Sequence, residues 1–117
     1  MKTPVINGIE LNKVEDVFEA LAIHAGGESE STGAGAFDDL SQAVVGFSND
    51  NRIIYSYDKI VEIYMERDGM SEEDAVEFVE CNTMRTLPYM HRQPIILYPL
   101  DGYREDEKEK GNEEKRI

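Results

Sequence analysis

Carboxylate side chains at helical spacing are the residues of this sequence best suited to chemistry or recognition. The chain has 25 Asp and Glu against 12 Lys and Arg, a formal net charge of −13. In two predicted helices the acids recur one turn, roughly 6 Å, apart. The two sets are Asp58, Glu62 and Glu66, and Glu73, Glu77 and Glu80. This spacing approaches that of successive phosphates and suggests nucleic-acid mimicry; the alternative is that these are ordinary solvated helix faces.

Groups that usually act as a general base or nucleophile near neutral pH are few. The chain has two histidines and one cysteine. His24 falls at the end of a predicted helix, where histidine commonly stabilises the helix dipole. His91 lies in a proline-flanked loop, and Cys81 lies near the end of an amphipathic helix beside Glu80, a position typical of a structural thiol. We therefore predict no catalytic residue and no enzymatic activity.

Sequence motifs for a metal or a nucleotide are also missing. Residues 66–71 lack the alternating acids over twelve positions that a calcium loop requires. The glycines at 26, 27, 33 and 35 do not follow a convincing strand or lead into a GK[ST] sequence. We therefore predict no cofactor and no metal site. Since paired carboxylates occur throughout so acidic a chain, an enzyme that uses Asp or Glu with a metal stays open as an alternative.

The charge balance indicates the class of partner. Residues 1–100 carry 18 acids and 7 bases, and residues 101–117 carry 7 acids and 5 bases. Nucleic acid and anionic membrane are bound through Lys and Arg, so we predict that the chain contacts neither directly. The same negative field attracts a basic protein surface, including a groove that normally holds nucleic acid. The alternative is a structural or regulatory homo-oligomer, such as a homodimer.

The sequence is predicted to stay in the cytoplasm. No signal peptide opens the chain, and the longest apolar stretch, residues 94–100, is far shorter than the roughly 20 residues that span a bilayer. A single cysteine cannot form an internal disulfide.

Periodicity and turn residues divide the chain into four parts. Residues 1–25 are predicted as a strand and helix segment, with a turn at Asn7 and Gly8 and a helix capped by Asn12. Residues 26–36, rich in Gly, Ser and Thr, are predicted as a flexible linker without a residue large enough to reach a core. Residues 37–100 form the predicted core domain, and residues 101–117 a charged, flexible tail.

The core domain is predicted to be α+β, a small antiparallel sheet packed against two to three helices. A hairpin is expected from residues 43–47 and 52–55, and an edge strand from residues 94–98. Between them a helix capped by Ser56 or Asp58 ends at Gly69, and a second, capped by Ser71, stops before Pro88. The apolar stripe of the first helix contains Tyr57, Ile60, Val61 and Tyr64.

Several sequence blocks occur in a fixed order between residues 52 and 98. They are RIIYSYDK at 52–59, GMSEEDAVEFVE at 69–80, NT at 82–83, RTLPY at 85–89 and PIIL at 94–97. In this order they resemble a recurrent family of small, largely uncharacterised proteins of bacteriophages and prophages. Cys81 stands where the family leads us to expect an aromatic residue. The resemblance implies a phage origin, and hence a location in the cytoplasm of a host bacterium, but no established activity.

Within the matched region, Asn82, Thr83, Arg85 and Tyr89 form a polar group just after a helix. They are either contact residues, or Asn82 caps the helix and Arg85 pairs with a surface acid. A small acidic phage protein without catalytic groups suits inhibition of a host defence nuclease, of the anti-CRISPR or restriction-blocking type. The predicted partner-binding residues are Asp58, Glu62, Glu66, Glu73, Glu77, Glu80, Asn82, Arg85 and Tyr89.

Overall fold

A two-stranded hairpin begins the part of the chain that the computed structural model describes, residues 2–26 and 33–100. Strands β1 (Val5–Ile6) and β2 (Ile9–Glu10) pair antiparallel. The turn residues Asn7 and Gly8 both have positive φ, 55° and 81°. This is the backbone conformation that a two-residue hairpin turn of type I′ requires, so the predicted turn is confirmed.

Helix α1 (Val14–His24) follows the hairpin, as predicted, but its N-cap is Lys13 and not Asn12. The carboxylate that caps it belongs to Asp16, whose Oδ2 accepts hydrogen bonds from the backbone N–H groups of Asn12 and Lys13 at 3.0 and 3.1 Å. The predicted N-cap is therefore wrong by one residue, because a capping acid three residues into the helix fixes the start better than an Asn side chain does.

The central sheet has three strands in the order β3, β4, β5. Strands β3 (Val44–Phe47) and β4 (Ile53–Ser56) form the predicted antiparallel hairpin. Strand β5 (Ile95–Leu97) pairs with β4 in parallel, so the prediction of a purely antiparallel sheet is wrong in this detail. The physical reason is the helical connection between β4 and β5, which brings the chain back to its starting edge and lets the next strand run in the same direction.

Helix α2 (Tyr57–Asp68) begins directly after β4. Ser56 Oγ accepts a hydrogen bond from Lys59 N at 3.3 Å, and Gly69 ends the helix in the left-handed conformation with φ of 72°. Both are as predicted. The predicted apolar stripe is confirmed as the core side of the helix, with these residues buried: Tyr57, Ile60, Val61, Ile63 and Tyr64.

Helix α3 (Glu72–Phe78) starts at the predicted N-cap Ser71, whose Oγ accepts a hydrogen bond from Asp74 N at 3.1 Å. The helical path then continues beyond α3 through a π-helical turn (Val79–Thr83), α4 (Met84–Thr86) and a 3-10 turn (Leu87–Tyr89). The prediction that helical structure stops before Pro88 is wrong. Pro88 lies at the start of the 3-10 segment, where the fixed φ of proline suits the first helical turn.

Ser71→Ala is expected to lower the free energy of unfolding by about 1 kcal/mol, because it removes the acceptor for the N–H of Asp74 at the start of α3. Urea unfolding followed by circular dichroism measures the change. Ser41→Ala is the matched control, since Ser41 Oγ is buried without a hydrogen-bond partner in residues 2–26 and 33–100 and its loss is expected to be neutral or stabilising. Equal losses in the two variants would contradict the assigned cap.

One hydrophobic core joins the N-terminal segment to the rest of the described chain. Leu11, Val17 and Leu21 belong to the same buried cluster as Ile53 and Ile60. Helix α1 packs on β3, where His24 Nε2 lies 2.9 Å from Ser48 O. The N-terminal helix is thus docked on the core sheet.

The C-terminal end of the predicted linker also reaches this core. Ala34 is only 8% exposed and belongs to the core cluster. The N–H of Gly35 donates a hydrogen bond to Arg92 O at 3.1 Å. Small size did not prevent packing here, because the chain passes close enough for an alanine methyl and a backbone N–H to make the contacts. Residues 27–32 of the predicted linker, and the predicted tail at 101–117, lie outside the described residues.

Candidate interaction surface

Helices α2 and α3 form an antiparallel helical hairpin that turns at Gly69. Tyr64, near the end of α2, packs edge-on against Phe78 at the end of α3, with ring centroids 4.9 Å apart. Tyr57, at the start of α2, donates a hydrogen bond from its Oη to Glu80 Oε2 at 2.7 Å. These two contacts hold the C-terminal end of α3 and the turn after it against α2.

This helical hairpin carries a concentrated negative charge. Residues 57–82 contain nine acidic and two basic side chains. The buried side chains of both helices lie on their core sides, and the helical period places the acid sets on the opposite sides. Six of the nine acids are exposed and three, Asp58, Glu62 and Glu72, are half-buried, so most of the negative charge faces solvent.

The predicted residues on α2 differ in exposure. Asp58 and Glu62 are half-buried, whereas Glu66 is exposed at the far end of the helix. Glu66 also lines a groove beside the loop that precedes β3. The i, i+4, i+8 row is therefore continuous in the helix, but its members have different surroundings.

On α3, Glu73 and Glu77 are both exposed. Glu80 follows in the π-helical turn and is fixed by its hydrogen bond with the buried Tyr57. Its carboxylate therefore takes part in joining the two helices. The two residues of this set with the most open surroundings are Glu73 and Glu77.

The three other predicted contact residues lie beyond α3. Asn82 Nδ2 donates to Phe78 O at 3.1 Å, one helical turn earlier, which agrees with the alternative in which Asn82 completes the helix end. Arg85 is exposed and forms no ion pair with a residue in the described ranges. Tyr89 is 89% exposed in the 3-10 turn. All three are exposed, but the amide of Asn82 is engaged at the helix end, whereas Arg85 and Tyr89 keep their side chains available to a partner.

Sequence reasoning missed a groove of about 360 Å³ between α2 and the loop before β3. Its wall includes Arg67, whose guanidinium donates to Asp39 O at 3.0 Å and to Asp39 Oδ2 at 3.4 Å. A hydrogen bond to Asp68 and the charges of both acids raise the pKa of Arg67. The adjacent acids at 38 and 39 were the one sequence signal, but nothing local shows that they fold onto α2. The lining residues are Asn12, Asp38, Asp39, Ser41, Gln42, Ile63, Glu66 and Arg67.

Metal and membrane sites were sought over the same described ranges. Residues 2–26 and 33–100 contain no group of three or more His, Cys, Asp or Glu side chains that could hold a metal ion. No helix in these ranges combines the length and apolarity needed to cross a bilayer. Cys81 is exposed and unpaired with another cysteine.

Comparisons with protein-family models, with curated proteins and with solved structures found no match. The function of the chain is therefore inferred from the chemistry of its surface.

Proposed function

We propose that this chain is a non-enzymatic acidic protein that binds a basic surface of another protein through the solvent-facing side of α2 and α3. The observation that carries the proposal is the charge of the helical hairpin: residues 57–82 contain nine acidic side chains and only two basic ones. A coherent patch of one sign steers an oppositely charged partner to the correct face and raises the association rate at low salt.

The anchoring of the two helices supports this role. Ser56 and Ser71 cap the helix starts, Gly69 sets the turn, and the pair Tyr57 and Glu80 closes the open end. Charges on a backbone that is already ordered lose less conformational entropy on binding than charges on a flexible segment. The acids at 73 and 77 are therefore presented in a fixed arrangement before a partner arrives.

The finer proposal is that the partner is a host defence nuclease and that the acidic helices occupy its nucleic-acid groove. Two features support it. The phage-like sequence blocks include α3 and the first three residues of α2, and the acids recur at roughly the spacing of phosphates along a strand. A groove lined with Lys and Arg to hold phosphates also fits a rigid row of carboxylates.

A homo-oligomer is the second candidate, and a different part of the surface favours it. Leu97 and Leu100 are 48% and 94% exposed beside strand β5, at the edge of the central sheet. Exposed apolar side chains at a sheet edge are typical of self-association sites. Light scattering that shows a dimer at all concentrations, with no binding to a basic partner, would favour this candidate.

Mixing the protein with a purified DNA-dependent defence nuclease tests the proposed function. We expect a stoichiometric complex on size-exclusion chromatography with light scattering at low salt, and its loss as salt screens the charges. A set of such nucleases, from both the guide-RNA and the restriction classes, none of which forms a complex, would count against the nuclease proposal.

Reversing two charges on α3 is expected to weaken that complex. Glu73→Lys with Glu77→Lys should raise Kd at least about tenfold at low salt, because it places positive charge at the centre of the contact.

The chain offers a closely matched control in Glu15→Lys with Glu19→Lys. These exposed residues occupy the second and sixth positions of α1, as Glu73 and Glu77 do in α3. The two double variants change the net charge by the same amount and place lysines at the same spacing and at the same positions relative to the helix N-terminus. Helix α1, however, packs on β2 and β3 and lies outside the acidic hairpin. An equal loss of binding in both double variants would show that net charge, and not this face, is responsible.

A further inference from the structure

The groove beside α2 is lined mainly by groups that accept hydrogen bonds. Asp38, Asp39 and Glu66 contribute three carboxylates, and Asn12 and Gln42 contribute amides. Both amide nitrogens donate elsewhere, from Asn12 Nδ2 to Glu10 Oε1 at 3.4 Å and from Gln42 Nε2 to Thr3 Oγ1 at 3.0 Å. Their oxygens remain as acceptors. The complementary ligand is one that donates hydrogen bonds and carries positive charge.

The protein's own Arg67 shows that this wall suits a guanidinium. Its Nη1 and Nη2 bind the carbonyl and carboxylate oxygens of Asp39, and Nε binds Asp68 at 3.1 Å. These contacts neutralise Arg67. The neighbouring Asp38 is exposed and forms no hydrogen bond or ion pair with another described residue. Negative charge therefore remains in the groove after Arg67 is counted.

Ser41 gives an independent indication of a ligand. This lining residue is only 4% exposed, and its Oγ has no hydrogen-bond partner among the described residues. A buried hydroxyl without a partner is uncommon, because it has given up its hydrogen bonds to water without replacement. An N–H donor that enters the groove would supply the missing bond.

We propose that this groove binds one ammonium or guanidinium group, and that in the complex it receives a Lys or Arg side chain of the basic partner. The volume of about 360 Å³ falls within the range of small-ligand sites. An anion is disfavoured because Asp38 and Glu66 add two carboxylates to the neutral pair formed by Asp39 and Arg67. The assignment to a protein side chain rests on the proposed function, whereas the affinity for the cationic group does not.

Titrations followed by two-dimensional amide NMR test the groove with defined probes. The first probe is N-acetyl-arginine methylamide, and its control is the citrulline analogue, which has similar shape without charge. The second is an arginine-rich peptide. We expect the arginine probe and the peptide to shift the amide signals of residues 38–42 and 66–67, and the citrulline analogue to leave them unchanged.

The decisive variant is Asp38→Asn with Glu66→Gln, which keeps the shape of the groove and removes two charges. We expect Kd for the arginine-rich peptide to rise about tenfold. Glu15→Gln with Glu19→Gln changes net charge by the same amount at exposed positions of α1, outside both the groove and the acidic hairpin, and the Kd obtained from the groove shifts should stay within about twofold. Thermal unfolding of each variant confirms that it is folded.

The possible failures can be told apart. If the peptide binds the native chain and the Asp38 and Glu66 variant equally well, the groove proposal is overturned and the proposed function stands. If neither probe binds, both proposals are overturned. If the small arginine probe binds in the groove but the peptide does not, the cation site is supported, and a free amine or guanidine replaces the protein side chain as its ligand.

Discussion

Gly35→Ala is expected to destabilise the folded protein by about 1–3 kcal/mol. A Cβ at this position would lie 2.8 Å from His91 O and 3.4 Å from Arg92 O, closer than a carbon normally approaches a carbonyl oxygen. The oxygens belong to the backbone that accepts the hydrogen bond from Gly35 N, so they cannot move away without loss of that bond. The clash would separate residues 33–36 from the loop before β5.

Gly46→Ala is the matched control for this prediction. Gly46 lies in β3, and a Cβ built on it meets no atom within 4 Å. Gly46→Ala should change the free energy of unfolding by less than about 1 kcal/mol. The change can be stabilising, because alanine reduces the conformational entropy of the unfolded chain. Urea unfolding of both variants gives the difference. Equal stabilities would mean that residue 35 is not held against the loop that contains His91.

Tyr55→Phe is the second substitution with a large expected effect. Tyr55 is fully buried in β4, and its Oη accepts a hydrogen bond from the N–H of Phe37 at 2.8 Å. Removal of the hydroxyl leaves that N–H without its acceptor, which should cost about 1–3 kcal/mol near neutral pH. The same bond ties the start of the segment after the linker to the central strand.

The destabilisation caused by Tyr55→Phe, relative to the native protein, should become smaller as the pH rises. Burial raises the pKa of Tyr55 to about 12 from 10.0. The folded state therefore keeps this proton where the unfolded chain has lost it, so the native protein loses stability as pH rises from about 10 to about 12. The expected loss from this group is about 2–3 kcal/mol.

Unfolding measured at several pH values between 8 and 12 checks this expectation. Tyr55→Phe should lack the part of the alkaline loss that comes from residue 55, so that its stability curve approaches that of the native protein. Tyr89→Phe, at an exposed position, should retain the native curve. Parallel curves for the native protein and Tyr55→Phe would show that residue 55 does not hold its proton more firmly in the folded state.

Local features of this fold were readable from the sequence because their causes are local. The turn at Asn7 and Gly8 needs positive φ, which these two residues adopt with least strain. The side-chain oxygen of Ser71 can accept a hydrogen bond from a backbone N–H in the first turn of a helix, and the apolar stripe of α2 repeats with the helical period. Each prediction needs only residues within one or two turns of each other.

Features that depend on distant residues were not readable. The direction of β5 depends on the path of the chain through α2, α3 and the turns that follow. The burial of Ala34 and the bond from Gly35 to Arg92 depend on a loop nearly 60 residues away in sequence. Periodicity placed Glu80 on an acidic row, but it could not show that Tyr57 lies within hydrogen-bond distance.

In the candidate site, too, features with local causes were predicted and features that depend on distant residues were not. Helical spacing placed the acids of α2 and α3 opposite the core stripe, where Glu66, Glu73, Glu77 and Glu80 are exposed and Asp58 and Glu62 are half-buried. The groove was missed because its wall combines Asn12, the loop at 38–42 and the end of α2. Such a site is defined by tertiary contacts between three segments, and no one segment carries its pattern.

Competition with DNA shows whether the acidic helices occupy the nucleic-acid groove of the partner. A defence nuclease that forms the complex is loaded with labelled duplex DNA, and the native protein is added at low salt while fluorescence anisotropy reports the bound DNA. We expect DNA to be displaced as the protein occupies the nuclease, and Glu73→Lys with Glu77→Lys to displace it poorly. Full binding of the protein with the DNA still in place would show that the acidic helices do not occupy the nucleic-acid groove.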